Sequence, residues 1–154
     1  MAEPVSRSRQ LAEEAIEQLG FKPMLGFIPP TQHEPDRGSI CMITATPAPN
    51  ETHGLIDILL PELPWLVQSV ERAQHNLINL GFADIPVITP EDLIVAKCYA
   101  LRNSPDRFQD FDDLKEIFSA VNELDLDYLR ANLVKLNLAI PEPVRKFAPK
   151  KLVF

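Results

Sequence analysis

A lysine inside an apolar stripe, followed by two aspartates on the next segment, is the set of residues in this chain best suited to chemistry. In PEDLIVAKCYAL (Pro90 to Leu101) the apolar residues Leu93, Ile94, Cys98 and Leu101 fall at helical spacing, and Lys97 lies on the same face, four residues after Leu93. In RFQDFDDLKEIF (Arg107 to Phe118) the residues Phe111, Leu114 and Phe118 form a core face, with Asp110 and Asp113 one turn apart along its edge. The spacing predicts that an ammonium on one helix meets carboxylates on the next. Two kinds of chemistry suit that meeting. One is a structural ion pair, in which desolvation of both charges offsets much of their attraction. The other is a cleft for an anion such as a phosphate, for which lysine is a compact, mobile donor.

A fourth candidate stands apart from these three. Asp57, in GLIDILLPELPW, is flanked by Ile56 and Ile58, and strand alternation sends it to the face opposite both. Such a residue belongs either to the exposed face of a one-sided sheet or to a cleft, where a carboxylate on a strand serves as metal ligand or base. His33, His53 and His75 are scattered and show neither HxxxH nor HExxH spacing, so they read as non-catalytic. Cys41 and Cys98 are the only cysteines and join no CxxC or Cys/His cluster, which excludes a disulfide framework or a zinc signature. There is no GxSxG elbow, GxGxxG fingerprint or Walker loop, so the usual hydrolase and dinucleotide readings lack support.

The elements that must position these residues can be read from the pattern. Ser6 to Leu19 is predicted helical, with a stripe of Leu11, Ala15, Ile16 and Leu19 ended by Gly20. Strands are predicted at Met24 to Ile28, Ile40 to Thr46 and His53 to Leu60, with a loop at Thr31 to Gly38. A helix from Leu63 to Ala73 is expected to bury Leu66, Val67, Val70 and Ala73. Short extended pieces follow at Leu77 to Leu80 and Ile85 to Ile88. Thr89 is a predicted N-cap, with Pro90 at the first helical position and Asp92 three residues on. Helices are then predicted at Pro90 to Arg102, Phe108 to Val121 and Leu126 to Leu136, with a short turn at Glu142 to Phe147. Strands first and helices after imply an α+β chain with a small, mostly antiparallel or mixed sheet and a helical C-terminal half.

At 154 residues and 45% hydrophobic content, one domain over 1–154 is the default, with an α/β portion at 1–88 and a helical portion at 89–154. The formal net charge of −7 argues against coating nucleic acid, leaving only a local contact. The best local candidate, the cluster Arg145, Lys146, Lys150 and Lys151, reads as a solvated end. The longest nearly apolar run, LIDILL, is far short of the roughly 20 residues of a spanning helix, and MAEPVSRSRQ has no apolar signal core. A soluble cytoplasmic protein is expected.

The order IDILLP, then IPVITPEDLIVAK, then QDFDDLKEIF resembles the later part of bacterial nucleotidyltransferase-fold proteins related to the AbiEii abortive-infection toxins. In that family a PEDLI-x-x-K run is followed by D-x-x-D on the next helix. The similarity spans roughly Gln10 to Ala120 and is strongest from Ile85 to Phe118. The resemblance implies a polymerase-β-like nucleotidyltransferase fold, in which metal-held carboxylates and a cation neutralise the charge of a nucleoside triphosphate. Asp57 then matches a strand carboxylate that holds Mg²⁺, Lys97 the lysine that meets the triphosphate, and Asp110 with Asp113 the following acidic pair.

The family's Gly-Ser turn and D-x-D pair are not matched, since Gly38-Ser39 is followed by ICMITATPAP, which has no carboxylate. The resemblance is therefore to the fold without its first strands, and a two-metal mechanism is not assembled from these residues alone. Three functions follow as expectations. One is a degenerate or truncated nucleotidyltransferase-like protein that binds a nucleotide or anion near Lys97 without catalysing transfer alone. Another is one subunit of a split enzyme, completed by a partner chain at an exposed sheet edge. The third is a non-catalytic interaction or scaffold module, a homodimer for instance, in which Lys97 and the two acids only clasp helices.

Overall fold

A computed structural model describes residues 4–30, 32, 40–47, 54–59 and 63–153. The chain is α+β and divides into two compact units, Met1–Leu63 and Pro64–Phe154. The second unit begins ahead of the 88/89 boundary read from the sequence.

The first unit comprises α1 (Pro4–Gln18) and a three-stranded antiparallel sheet in the order β1 (Lys22–Ile28), β2 (Ile40–Thr46), β3 (Ile56–Leu59). Gly20 ends the helix as predicted. Its φ of +82° lets the Gly20 N–H donate to Glu17 O and the Phe21 N–H to Ile16 O, the paired bonds of a Schellman turn. That turn brings Phe21 back onto Ile16, which packs with Ile43 and Ala45 of β2, Ala12 and Ile58. The buried face of α1 is therefore Ala12 and Ile16. Leu11, Ala15 and Leu19, expected to share it, are exposed. The turn at Gly20 fixes which face meets the sheet, and the helical stripe rotates to match. In β2 the predicted range holds, and Cys41, Ile43 and Ala45 alternate inward. Of the strand predicted at His53 to Leu60, Ile56–Leu59 is formed among the described residues. The Thr31 to Gly38 loop falls outside them except for Gln32, as do Gly38-Ser39, His33 and His53.

The second unit holds α2 (Leu66–Ala73), the hairpin β4 (Leu77–Asn79) and β5 (Asp84–Pro86), then α3 (Pro90–Asn103), α4 (Phe108–Ala120) and α5 (Leu126–Lys135). Val67 and Val70, expected inside, are exposed, and α2 buries Ser69 instead, whose hydroxyl donates to Trp65 O at 2.9 Å. That bond satisfies the hydroxyl within its own helix, so the polar residue is tolerated inside. Helix α3 packs on both α4 and α5. Ile94, Leu114, Leu129 and Leu133 are essentially inaccessible between them. Helix α5 also ends in a Schellman turn: Asn137, at φ +52°, lets Leu138 N–H reach Leu133 O at 2.8 Å.

Beyond α5 two short 3-10 turns, Glu142–Val144 and Lys150–Leu152, press Val144 and Leu152 into the core. The basic tail, expected as a solvated end, is thus folded onto the helices because two of its apolar residues have a core to enter. Lys151 pairs with Asp127, and Arg130 donates to Lys151 O at 3.1 Å.

Candidate functional site

Thr89 caps α3 as expected. Its side chain accepts from Asp92 N at 3.3 Å, Pro90 occupies the first turn, and Glu91 and Asp92 lie near the positive end of the helix dipole. This start sets the rotation of α3, burying Ile94, Cys98 and Leu101 and leaving Lys97 at the border facing α4. The predicted meeting takes place. Lys97 Nζ donates to Asp110 Oδ1 at 2.9 Å and to Asp113 Oδ2 at 2.5 Å. Asp110 is also held by a residue the sequence reading did not assign: Arg107 Nε donates to its Oδ2 at 2.5 Å. Arg107 stands three residues before Asp110, across the start of α4, and that local i,i+3 spacing was the signal available.

The four side chains grade from inside to outside. Asp110 is 8% exposed, Lys97 16%, Asp113 34% and Arg107 56%. Burial pulls the Lys97 pKa down, but hydrogen bonds to Asp113 and Asp110, with the charges of both, outweigh it and leave the ammonium above its ordinary range. For Asp110 burial pushes the carboxyl up, and the hydrogen bonds and charges of Arg107 and Lys97 bring it below its ordinary value. Two cations and two carboxylates sum to no net charge.

Asp57 belongs to the first unit. It lies opposite Thr44 in the β2–β3 ladder, is exposed, and accepts from Thr44 Oγ1 at 2.7 Å. Among the described residues no group of three or more His, Cys, Asp or Glu is arranged to hold a metal ion. The Asp110 and Asp113 oxygens that face Lys97 and Arg107 are engaged by cations, so this donor set does not fit a two-metal centre.

A second polar cluster binds α2, α3 and α5 together. Asp92 accepts from Arg72 Nε at 3.0 Å, from Thr89 Oγ1 at 3.0 Å and from Tyr128 Oη at 2.6 Å. The Arg72 guanidinium lies 3.8 Å over the Tyr128 ring, and Glu91 accepts the Asp125 N–H at 2.9 Å. Burial, together with the Asp92 hydrogen bond, raises the Tyr128 pKa, so the phenol stays a donor. Arg72 and Tyr128 are 20 and 36 residues from Asp92, and no local pattern could pair them.

A cavity of about 390 Å³ is lined by Cys98, Leu101, Arg102, Phe111 and Glu142 among others, and by none of Lys97, Asp110 or Asp113. Burial pushes the Cys98 thiol up to about 12. The Lys97 cluster lies between α3 and α4 and runs from the buried Asp110 to the exposed Arg107. Among the described residues no helix is long and apolar enough to cross a membrane. No family model matches this sequence, and no curated protein or solved structure matches it significantly.

Proposed function

We propose that this chain is a nucleotidyltransferase-like module that binds the phosphates of a nucleotide at the Lys97–Arg107 edge and does not transfer a nucleotidyl group by itself. The supporting observation is that two cations, each with an accessible portion, converge on the single carboxylate Asp110. An ammonium has three donors, and Asp110 and Asp113 take two of them. The third, with the outer nitrogens of Arg107, suits a phosphate oxygen. Mg²⁺ in this reading arrives as the counter-ion of the triphosphate and is not held by Asp57 or the α4 acids.

Isothermal titration with ATP, GTP, CTP and UTP, with and without Mg²⁺, tests this reading. Binding to the wild type that weakens about tenfold in Arg107→Ala, the loss of one charge-assisted hydrogen bond, supports it. No binding by the wild type, or binding by Arg107→Ala and Lys97→Met as tight as that of the wild type, counts against it.

The charge balance of the cluster favours a second reading, an interaction module in which Lys97 only clasps α3 to α4. Under that reading no nucleotide binds, and Lys97→Met lowers the melting temperature without any ligand effect.

A further inference from the structure

The hairpin of the second unit has one open edge. Gly81, at φ +86°, opens the two-residue connection between Leu80 and Ala83, a backbone conformation that favours glycine. Leu80 N–H donates to Ala83 O at 3.0 Å and Val87 N–H to Asn76 O at 3.0 Å. Those pairs, with Ile78 opposite Ile85, set the alternation of the ladder. Ile78 turns its backbone groups toward β5, and Leu77 and Asn79 turn theirs outward. On the opposite edge the outward positions are Asp84 and Pro86, a charge and a residue with no N–H, both of which block strand addition. Leu77, Ile78 and Asn79 are all exposed, so neither face of β4 is covered. Leu80 and Phe82 at the tip are exposed too, Phe82 by 82%. A two-stranded hairpin in water is marginal and gains from a further strand.

We propose that the β4 edge pairs with the β4 edge of a second copy of this chain. The edge is complementary to itself. An antiparallel pairing about a twofold axis at Ile78 sets Leu77 of one copy opposite Asn79 of the other, and each of those two pairs exchanges two backbone hydrogen bonds, four in all. Charge selects the same surface. The chain carries a formal net charge of −7, so two copies repel, yet Gln74 to Ala83 contains no Asp, Glu, Lys or Arg. Copies can meet there with least repulsion. Because Pro86 and Asp84 block the outer edge, the assembly closes at a four-stranded sheet, β5-β4-β4-β5, and does not grow into a fibre. This inference is independent of nucleotide binding.

Light scattering on the full chain across a concentration series is the direct test. The expected mass is twice 17.3 kDa at high concentration. Ile78→Lys and Ile78→Glu, each placing like charges across the axis, are expected to run as monomers, and an equimolar mixture of the two to regain the doubled mass. Leu77→Pro, which removes an outward N–H and none that faces β5, is expected to be monomeric with an unchanged circular dichroism spectrum. As a check that does not depend on the charged variants folding, Ile78→Cys is expected to give a covalent dimer on oxidation, since the paired positions lie within disulfide reach. A wild type that stays monomeric, a dimer that survives Ile78→Lys, a mixture that fails to pair, or an Ile78→Cys chain that does not cross-link would each overturn the proposal.

Discussion

Lys97 shows how one side chain at the border of a helix ties that helix to the next. Its ammonium bridges Asp110 and Asp113, and removing it leaves Asp110 with Arg107 and Asp113 partly in water. Lys97→Met is therefore expected to cost about 1–3 kcal/mol, below the cost of orphaning a fully buried charge. Thermal melting would read this as a drop of a few degrees. The pH dependence has two limbs. Asp110 titrates below its ordinary value in the folded chain, so its contribution is complete above about pH 3.9 and is lost as pH falls through the lower folded value. Lys97 titrates above its ordinary value, so its contribution is complete below about pH 10.4 and is lost as pH rises through the folded value. Melting across pH is expected to show the acid limb flattened in Asp110→Asn and the alkaline limb flattened in Lys97→Met. Lys97, Asp110 and Asp113 were legible as a meeting because helical spacing put the cation and the acids on facing borders. Arg107 was in plain view three residues upstream, and its role needed the geometry of the α4 start.

Helix ends carry much of the definition of the elements. The Thr89 hydroxyl caps α3 and also donates to Asp92, so Thr89→Ala is expected to cost about 1–2 kcal/mol by chemical denaturation. Tyr128→Phe deletes the hydroxyl that donates to a buried carboxylate and is expected to cost about 1.5–3 kcal/mol while leaving the aromatic stack on Arg72 in place. Gly20→Ala tests the other end of the chain. There is open space for the added Cβ, so the φ of +82° alone is responsible for an expected loss of about 1 kcal/mol. The element ranges were largely readable, because Thr89-Pro90, Gly20 and the β-branched run of β2 are local signals. The faces were less so. Leu11, Leu19, Val67 and Val70 satisfy the apolar periodicity and stand in solvent, since a period says where a stripe runs and not which edge of it meets the core.

For the chain as a whole, the second unit carries a core of its own. Leu114, Leu129, Leu133, Val144 and Leu152 are buried by elements that all lie within Pro64–Phe154. A fragment of residues 64–154 is expected to melt cooperatively and to retain the tyrosine and Lys97 clusters. A broad, non-cooperative transition in that fragment would show that the unit depends on the rest of the chain. The basic tail illustrates the same scale. Four charges in the last ten residues suggested a solvated end, but Val144 and Leu152 outweigh them, because burial of an apolar side chain stabilises by about 1.5–3 kcal/mol and the charges stay at the surface.

Composition and periodicity by themselves settled the α+β class, the order of the elements, the cap at Thr89 and the encounter of Lys97 with Asp110 and Asp113. All of these follow from interactions between neighbours in sequence or from a short turn between consecutive helices. Tertiary structure alone decided that Arg72 and Tyr128 converge on Asp92, that the tail docks on α5, and which half of each apolar stripe is buried. Those outcomes depend on contacts between residues far apart in the chain, whose closure is driven by burial and carries no local signature in residue order.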